Sequence, residues 1–571
     1  MKKKKPARTG IRKIFTAVLI SFFLMMGFPP ASPAADDVDE LKKQLQSLSE
    51  MMKNLQEKLD KVEKQSVGKE TEIKEIDKRL NKAELHTASD KISFGVDLRS
   101  EAQSIHYQDV LVAPPSMINA FFTPASQGGF NGATQQQIQQ AMAGMKAAGM
   151  VPAPNSYNAD NDIIYTSRFR MNMKATINPH LDFAGRLAAY KVWGDSTGVQ
   201  VYQGNLGDVT FDGNTSNLPH GDVVHVERAY FNYKQDLGNV PINFSLGRRP
   251  STEGAPLEYG NYSMVGGSPL ASIINWQFDG ASLTFGLEDV TGIPGQAFKL
   301  CYGVGFEGDW GNSYSMTSSS DVNDVHMFGF IADLFDNEAT SAVLNYAHAW
   351  DVTDGFTGLT VMPFTVSVDG KNQYNFSPNS GAYISRVQPS TNIGGWDALS
   401  LLLKTNLSEK IANIDLFLAP SWSHTSPSQI SKNPYYALLG QGLLSSNGDL
   451  QSRNGYSIYA GAVFPMPLEA RLGLEYNWGS QYWFNFTGAE DSLVGSKLAA
   501  RGQVYEAYYI QPIYKDNFFI KLGGQYYDYD YSGSGNPLGD PVSLTDATAF
   551  DSINSIVDKV WIAYLSATIR F

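Results

Sequence analysis

From residue 92 to the C-terminus the chain alternates between short and long links that join runs of two-residue periodicity, and few architectures accommodate that order. Sixteen runs read as strands, near 92–105, 163–177, 181–193, 222–235, 240–249, 273–287, 297–307, 324–334, 339–350, 395–407, 411–424, 454–464, 468–482, 503–514, 517–531 and 558–571. Short links fall at Asn178-Pro179-His180, Asp236-Leu237-Gly238-Asn239, Asp336-Asn337-Glu338, Ser408-Glu409-Lys410, Pro465-Met466-Pro467 and around Asp516. Long polar segments lie between them, at 106–162, 194–221, 250–272, 308–323, 351–394, 425–453, 483–502 and 532–557. The link at 288–296 is longer than its class and shorter than any long segment. A membrane barrel sorts connections by parity, with tight periplasmic turns and long outer loops, whereas a soluble sandwich has no reason to. The expected fold is an all-β transmembrane antiparallel β-barrel of about 16 strands, preceded by an α-helical coiled coil.

Alternation also assigns faces. In 165–177, Tyr165, Phe169, Met171, Met173, Ala175 and Ile177 share one side, while Arg168, Arg170, Asn172, Lys174 and Thr176 share the other. In a barrel the first side meets lipid and the second the aqueous interior. Trp193, Trp276, Trp310, Trp350, Trp396, Trp422, Trp478, Trp483 and Trp561 fall near strand ends that face long segments. Tryptophan favours the membrane–water interface, so these nine are expected to form an outer girdle.

The N-terminus carries an address. A basic region containing Lys2–Lys5, Arg8, Arg12 and Lys13 precedes an apolar core, Ile14 to Phe28, and the small residues Ser32-Pro33-Ala34. This is the layout of a secretory signal peptide over 1–34. Its removal would shift the formal net charge from −13 to about −20, which excludes nucleic acid as a partner held by bulk charge. Cys301 is the single cysteine, so no intrachain disulfide, thiolate metal cage or haem attachment is possible.

Residues 35–88 read as a periplasmic coiled coil. Val38, Leu41, Leu45, Leu48, Met52, Leu55, Leu59 and Val62 step by three and four, and the register resumes at Ile73, Ile76, Leu80 and Ala83 after a polar break. Such a narrow stripe needs a partner helix. Three copies of this chain, a fold-back onto the chain itself, and another periplasmic protein all satisfy it. The barrel domain then spans 89–571.

The ending Leu565-Ser566-Ala567-Thr568-Ile569-Arg570-Phe571 resembles the terminal strand of bacterial outer-membrane barrels, in which a final Phe is read by the barrel-assembly machinery. Val226-Glu227-Arg228-Ala229-Tyr230-Phe231-Asn232-Tyr233, Leu246-Gly247-Arg248-Arg249 and Phe278-Asp279-Gly280-Ala281-Ser282-Leu283 resemble strand phrases of porins. The order of signal, rod and barrel is similar to porins that bear an N-terminal coiled coil. The resemblance implies an outer-membrane channel for passive diffusion of small hydrophilic solutes and a homotrimer in contact with outer-membrane lipid; from the residues themselves, no cofactor or metal is expected.

Face assignment turns Arg99, Arg168, Arg170, Lys174, Arg186, Arg228, Lys234 and Arg249 inward as pore-lining residues. Two readings stand: a basic stripe that favours anions, or cations paired with Asp97, Glu101 or Asp182. In the first long segment, Ile138, Met142 and Met145 have helical spacing, which suits a plug in the mouth or a cap outside it. An enzyme is not expected, because the eight His residues form no metal or nucleophile motif. A structural anchor, with the rod engaging the periplasm or cell wall, is the rival role.

Overall fold

The computed structural model describes residues 92–571 with Glu50 and Lys53, except 195–223, 264–265, 307–321, 355–357, 362–363, 380–383, 388–389, 409–410, 441, 443–447, 489–491 and 537. The expected signal peptide, the coiled-coil core residues Leu41, Leu45, Leu48, Met52, Leu55 and Leu59, and Trp310 lie outside the described residues. The chain divides into two compact units, Met1–Thr87 and Ala88–Phe571.

Sixteen strands of the second unit close into one barrel. They are β1 (Ile92–Val112), β2 (Asn155–Asn178), β3 (Leu181–Val192), β4 (Val224–Leu237), β5 (Val240–Arg248), β6 (Asp279–Gly286), β7 (Ala297–Phe306) and β8 (Val325–Asp336). Then follow β9 (Thr340–Thr353), β10 (Asn392–Asn406), β11 (Asp415–Pro427), β12 (Arg453–Pro465), β13 (Arg471–Gly479), β14 (Gly502–Tyr514), β15 (Phe518–Tyr529) and β16 (Lys559–Arg570). Each pairs antiparallel with its neighbours in sequence, and β16 closes on β1 in a register running from Asp97↔Arg570 to Gln108↔Lys559. Closure leaves no open edge in the sixteen-strand sheet. Among the described residues no helix is long and apolar enough to cross a membrane. Tight turns need left-handed backbone, and Gly238 (φ 63°) supplies it between β4 and β5.

Two sets of boundaries differ from the sequence reading. β1 and β2 extend past the expected 105 and 163, so their hairpin projects over residues whose apolar alternation has lapsed. β6 begins at Asp279 rather than near 273, because 271–278 are buried one after another instead of alternately. That run leaves the wall and enters the interior.

The barrel is turned inside out relative to a water-soluble protein. Phe94, Leu98, Tyr165, Phe169, Leu418, Leu474, Leu522, Leu565 and Ile569 are exposed on its outer surface. Asp97, Arg168, Arg170, Ser421, Glu475, Glu506 and Ser566 are buried on its inner one. A continuous apolar belt of this extent is stable against lipid and not against water.

The tryptophans divide between the two surfaces, which corrects the expected girdle. Trp193, Trp350 and Trp561 are exposed on the outside, and Trp422 and Trp478 share that face at the long-connection end. Trp276, Trp396 and Trp483 are buried inside. Their indole N–H groups explain part of this: Trp396 donates to the Phe484 carbonyl (3.1 Å) and Trp483 to the Leu498 carbonyl (2.8 Å). An inward-folded segment can thus meet the polar demand of a Trp as well as an interface can.

The long connections fold over and into this end of the barrel. The first carries α1 (Pro115–Phe122) and α2 (Gln135–Ala147), the latter opened by a capping box between Thr134 and Gln137. Ile138 of α2 and Phe121 of α1 are fully buried in a core with Phe364, Phe376, Trp396 and Phe486 from later segments. The helix therefore packs among the other connections rather than standing alone.

Candidate functional site

The interior is organised by one connection, residues 249–278 between β5 and β6, which crosses it and binds the wall at several heights. Its first anchor is Glu253, held in left-handed backbone (φ 60°) with its N–H donated to Asn275 Oδ1 at 2.8 Å. That conformation is costly for a residue with a Cβ. Here it directs the carboxylate among four guanidiniums: Arg170 Nη1 at 2.5 Å, Arg186 Nη1 at 2.8 Å, Arg228 Nη2 at 3.4 Å and Arg168 Nη1 at 3.9 Å. Burial alone would raise the Glu253 carboxyl, but the fields of Arg170, Arg186, Arg168 and Arg228 overcome it and hold the group well below the usual carboxylate range.

Glu227 is the second acid of this cluster. It bonds Arg170 Nε (2.8 Å) and Arg186 Nη1 (3.2 Å). Simple alternation puts Glu227 and Arg228 on opposite faces. The register instead passes from Arg186↔Arg228 to Leu187↔Val226, so Glu227 is the extra residue of a β-bulge and turns inward beside Arg228. Asp97 completes the set, accepting from Arg168 (3.0 Å) and Arg570 (2.6 Å).

Beyond Glu253 the segment reaches the opposite wall. In α3 (Glu258–Asn261), Glu258 pairs with Lys404 of β10 at 3.0 Å, and the Tyr259 ring stacks on Phe417 of β11 at 5.5 Å. Tyr262 donates to Asp516 Oδ1 (2.7 Å), and Arg570 donates to the carbonyls of Asn261 and Tyr262. On the return, Leu270 N donates to Asn345 Oδ1 (2.9 Å), and the hydroxyls of Ser272, Ser400 and Ser421 form a chain with 2.8 Å steps. The segment forms a transverse diaphragm, held by the ion pairs of Glu253 and Glu258 on opposite walls and by the packing of Leu257, Leu270 and Ala271 on Leu402, Phe417 and Ala419.

A second ion cluster lies on the β12–β16 wall, where Lys497 of the connection 480–501 bonds Glu475 (2.5 Å) and Glu506 (2.6 Å). Tyr459 donates to Glu475 and Tyr564 to Glu506, each at 2.6 Å, and Lys521 sits over the rings of Tyr508 and Tyr564. The Tyr508 ring lies against Gly473, and a Cβ there would overlap it.

Of the residues singled out from sequence, Arg168, Arg170, Arg186 and Arg228 meet in the first cluster. Arg99 faces Arg168 across the β1–β2 ladder. Lys174 and Lys234 are exposed at the short-turn end, where Lys234 pairs with Asp182 at 2.6 Å. Arg249 stands apart, bonded to Ser282 and the Ser245 carbonyl. Phe571 is exposed, and its backbone exchanges hydrogen bonds with Val96 at 2.8 and 3.0 Å. Sequence reasoning missed Glu227, Glu253, Glu475, Lys497 and Glu506. Among the described residues no group of three or more His, Cys, Asp or Glu is placed to hold a metal ion.

One family model, described as protein of unknown function (DUF3373), matches residues 158–571. The chain belongs to this family. The match starts within β2, so β1, which closes the barrel, precedes it. No curated protein matches the sequence. Similar solved structures include OprB of Pseudomonas putida, with TM-score 0.40, 10% identity, and coverage of 86% of this chain and 96% of that one. OmpT of Vibrio cholerae gives TM-score 0.38 at 11% identity, covering 84% and 97%. An anion-selective porin from Comamonas acidovorans gives 0.37 at 10%, covering 84% and 99%. With TM-scores below 0.5, the barrel class rests on the strand pairing described above rather than on these neighbours.

Proposed function

We propose that this chain is an outer-membrane channel of porin type, passing small hydrophilic solutes by diffusion through a bore that 249–278 narrows. The observation that carries the reading is the inverted barrel, with an apolar outer belt and a charged inner wall in sixteen closed strands. Across lipid a polar solute loses its hydration; a polar interior removes that barrier without an energy source. The coiled coil is assigned to the periplasm, the long connections to the cell exterior, trimer formation to the rod and barrel together, and Phe571 to recognition by the assembly machinery.

Selectivity follows from the first cluster, where five guanidiniums (Arg168, Arg170, Arg186, Arg228, Arg570) face three carboxylates (Asp97, Glu227, Glu253). The pairing mutes the basic stripe and leaves an excess of positive charge, which supports a mild anion preference. The test is single-channel recording in planar bilayers across a salt gradient. Discrete conductance steps with a reversal potential displaced toward the anion are expected, and cation preference would remove the selectivity assignment. The diaphragm also favours a second reading, because a segment bound on opposite walls can seal a barrel. Absence of conductance from correctly folded protein would make the chain an anchor instead.

A further inference from the structure

Between the return of the 249–278 segment and the wall of β6–β8 lies a cavity of about 80 Å³. Gly280, Gly303 and Gly329 of the wall border it, and Gly280 pairs with Gly303 across β6 and β7. Ile274, Phe278, Met327 and Ile331 make most of the lining apolar, and Arg249 and Cys301 reach it as well. Lys299 stands beside it, bonded to Ser268 of the lining at 3.2 Å.

Arg249 and Lys299 differ from most of the cations inside the barrel. Arg168, Arg170, Arg186, Arg228, Lys404, Lys497, Lys521 and Arg570 all form ion pairs with carboxylates. Among the described residues, Arg249 and Lys299 form none, and neither does Arg501, whose guanidinium is instead held by the carbonyls of Trp483, Ser532 and Asn536. Among the described residues the Arg249 guanidinium bonds one carbonyl and one hydroxyl and lies 5.8 Å from the Tyr230 ring centre, and its Nε has no hydrogen-bond partner there. Both side chains are half-buried, and a cation drawn partly out of water beside an apolar space is costly unless an anion joins it.

We propose that this cavity binds a small organic anion, a short-chain carboxylate whose charged end meets Arg249 and whose carbon tail lies on the apolar lining. Lys299 adds a second positive charge at the rim. Size sets the chain length. An apolar cavity of about 150 Å³ admits benzene and a water needs about 10–15 Å³, so this space suits a tail of about three or four carbons. Inorganic anions would satisfy the charge and leave the apolar lining unfilled.

Cys301 reports occupancy, because it lines the cavity and is the only thiol in the chain. The rate of its modification by methyl methanethiosulfonate is measured on the full chain in micelles, with butyrate, with 1-butanol and with neither. Butyrate should slow the reaction by about tenfold once the site is nine-tenths occupied, and 1-butanol should not. Arg249→Gln should abolish the protection while the barrel keeps its compact electrophoretic mobility. Equal protection by 1-butanol, butyrate protection surviving in Arg249→Gln, or no protection at all would overturn the proposal. Should Cys301 prove unreactive in the free protein, titration calorimetry with butyrate decides, and absence of an Arg249-dependent heat overturns it. The readout is occupancy, so a barrel that binds butyrate and conducts nothing would refute the channel and leave this site standing.

Discussion

Replacing Glu253 by Gln tests how the diaphragm is held. The carboxylate sits between 2.5 and 3.9 Å from four guanidiniums, with its side chain 16% exposed. Gln keeps the shape and removes the charge, leaving Glu227 and Asp97 as the cluster's carboxylates. Breaking a buried ion pair by removing one partner costs about 3–5 kcal/mol. Part of that loss falls on the docking of 249–278, which the contacts of Tyr262, Leu270 and Ser272 resist. If about 3 kcal/mol reaches the docking equilibrium, the displaced state gains about two orders of magnitude in population. Single-channel recording should then show wide-conductance events far more often than in the parent, with compact electrophoretic mobility retained. The pairing can be isolated with Arg170→Gln and the double variant, whose effects should fall short of additive. Unchanged conductance in Glu253→Gln, together with unchanged thermal stability, would refute the idea that this carboxylate pins the segment.

Three further outcomes follow from the same geometry. The depressed Glu253 carboxyl keeps the clamp fully formed above its ordinary value of 4.5, and the clamp is lost only as pH falls through the lower folded value. Wide-conductance events should therefore stay rare from pH 7 to 4.5, and a rise between pH 7 and 5 would contradict the clamp. Gly473→Ala puts a methyl into the Tyr508 ring and should cost about 1–3 kcal/mol, lowering the temperature at which the heat-modifiable band unfolds; an unchanged transition would refute that packing. Deleting Phe571 removes both hydrogen bonds to Val96 and should lower the yield of assembled barrel in cells more than refolding yield in detergent, whereas equal losses would count against a recognition role.

What was legible in the sequence was local. Strands such as 165–177 and 559–570 write their two faces into alternate residues, and connection length writes the two ends of the barrel, so all sixteen strands could be placed. The diaphragm was not legible, because Ile273, Ile274, Trp276 and Phe278 look like a strand until burial on every side shows otherwise. Glu227 was hidden by a bulge that alternation cannot foresee. Glu253 was hidden because its role depends on β2, β3 and β4 converging on a residue far away in sequence. The one local hint was an acid in a Gly-rich, Pro-rich stretch, Ser251-Thr252-Glu253-Gly254-Ala255-Pro256. Trp276, Trp396 and Trp483 were misplaced for the same reason: strand-end position alone does not distinguish an interface from an inward-folded segment.

The most direct test of the account is a nitroxide scan through the last strand, residues 559–570, in a Cys301→Ser background reconstituted in lipid vesicles. Positions 561, 563, 565, 567 and 569 should be accessible to oxygen dissolved in the bilayer and shielded from a water-soluble nickel complex, and the positions between them should lack that lipid signature. Uniform accessibility along the strand, or alternation of the opposite phase, would mean that this surface does not face lipid, and the channel would fall with it.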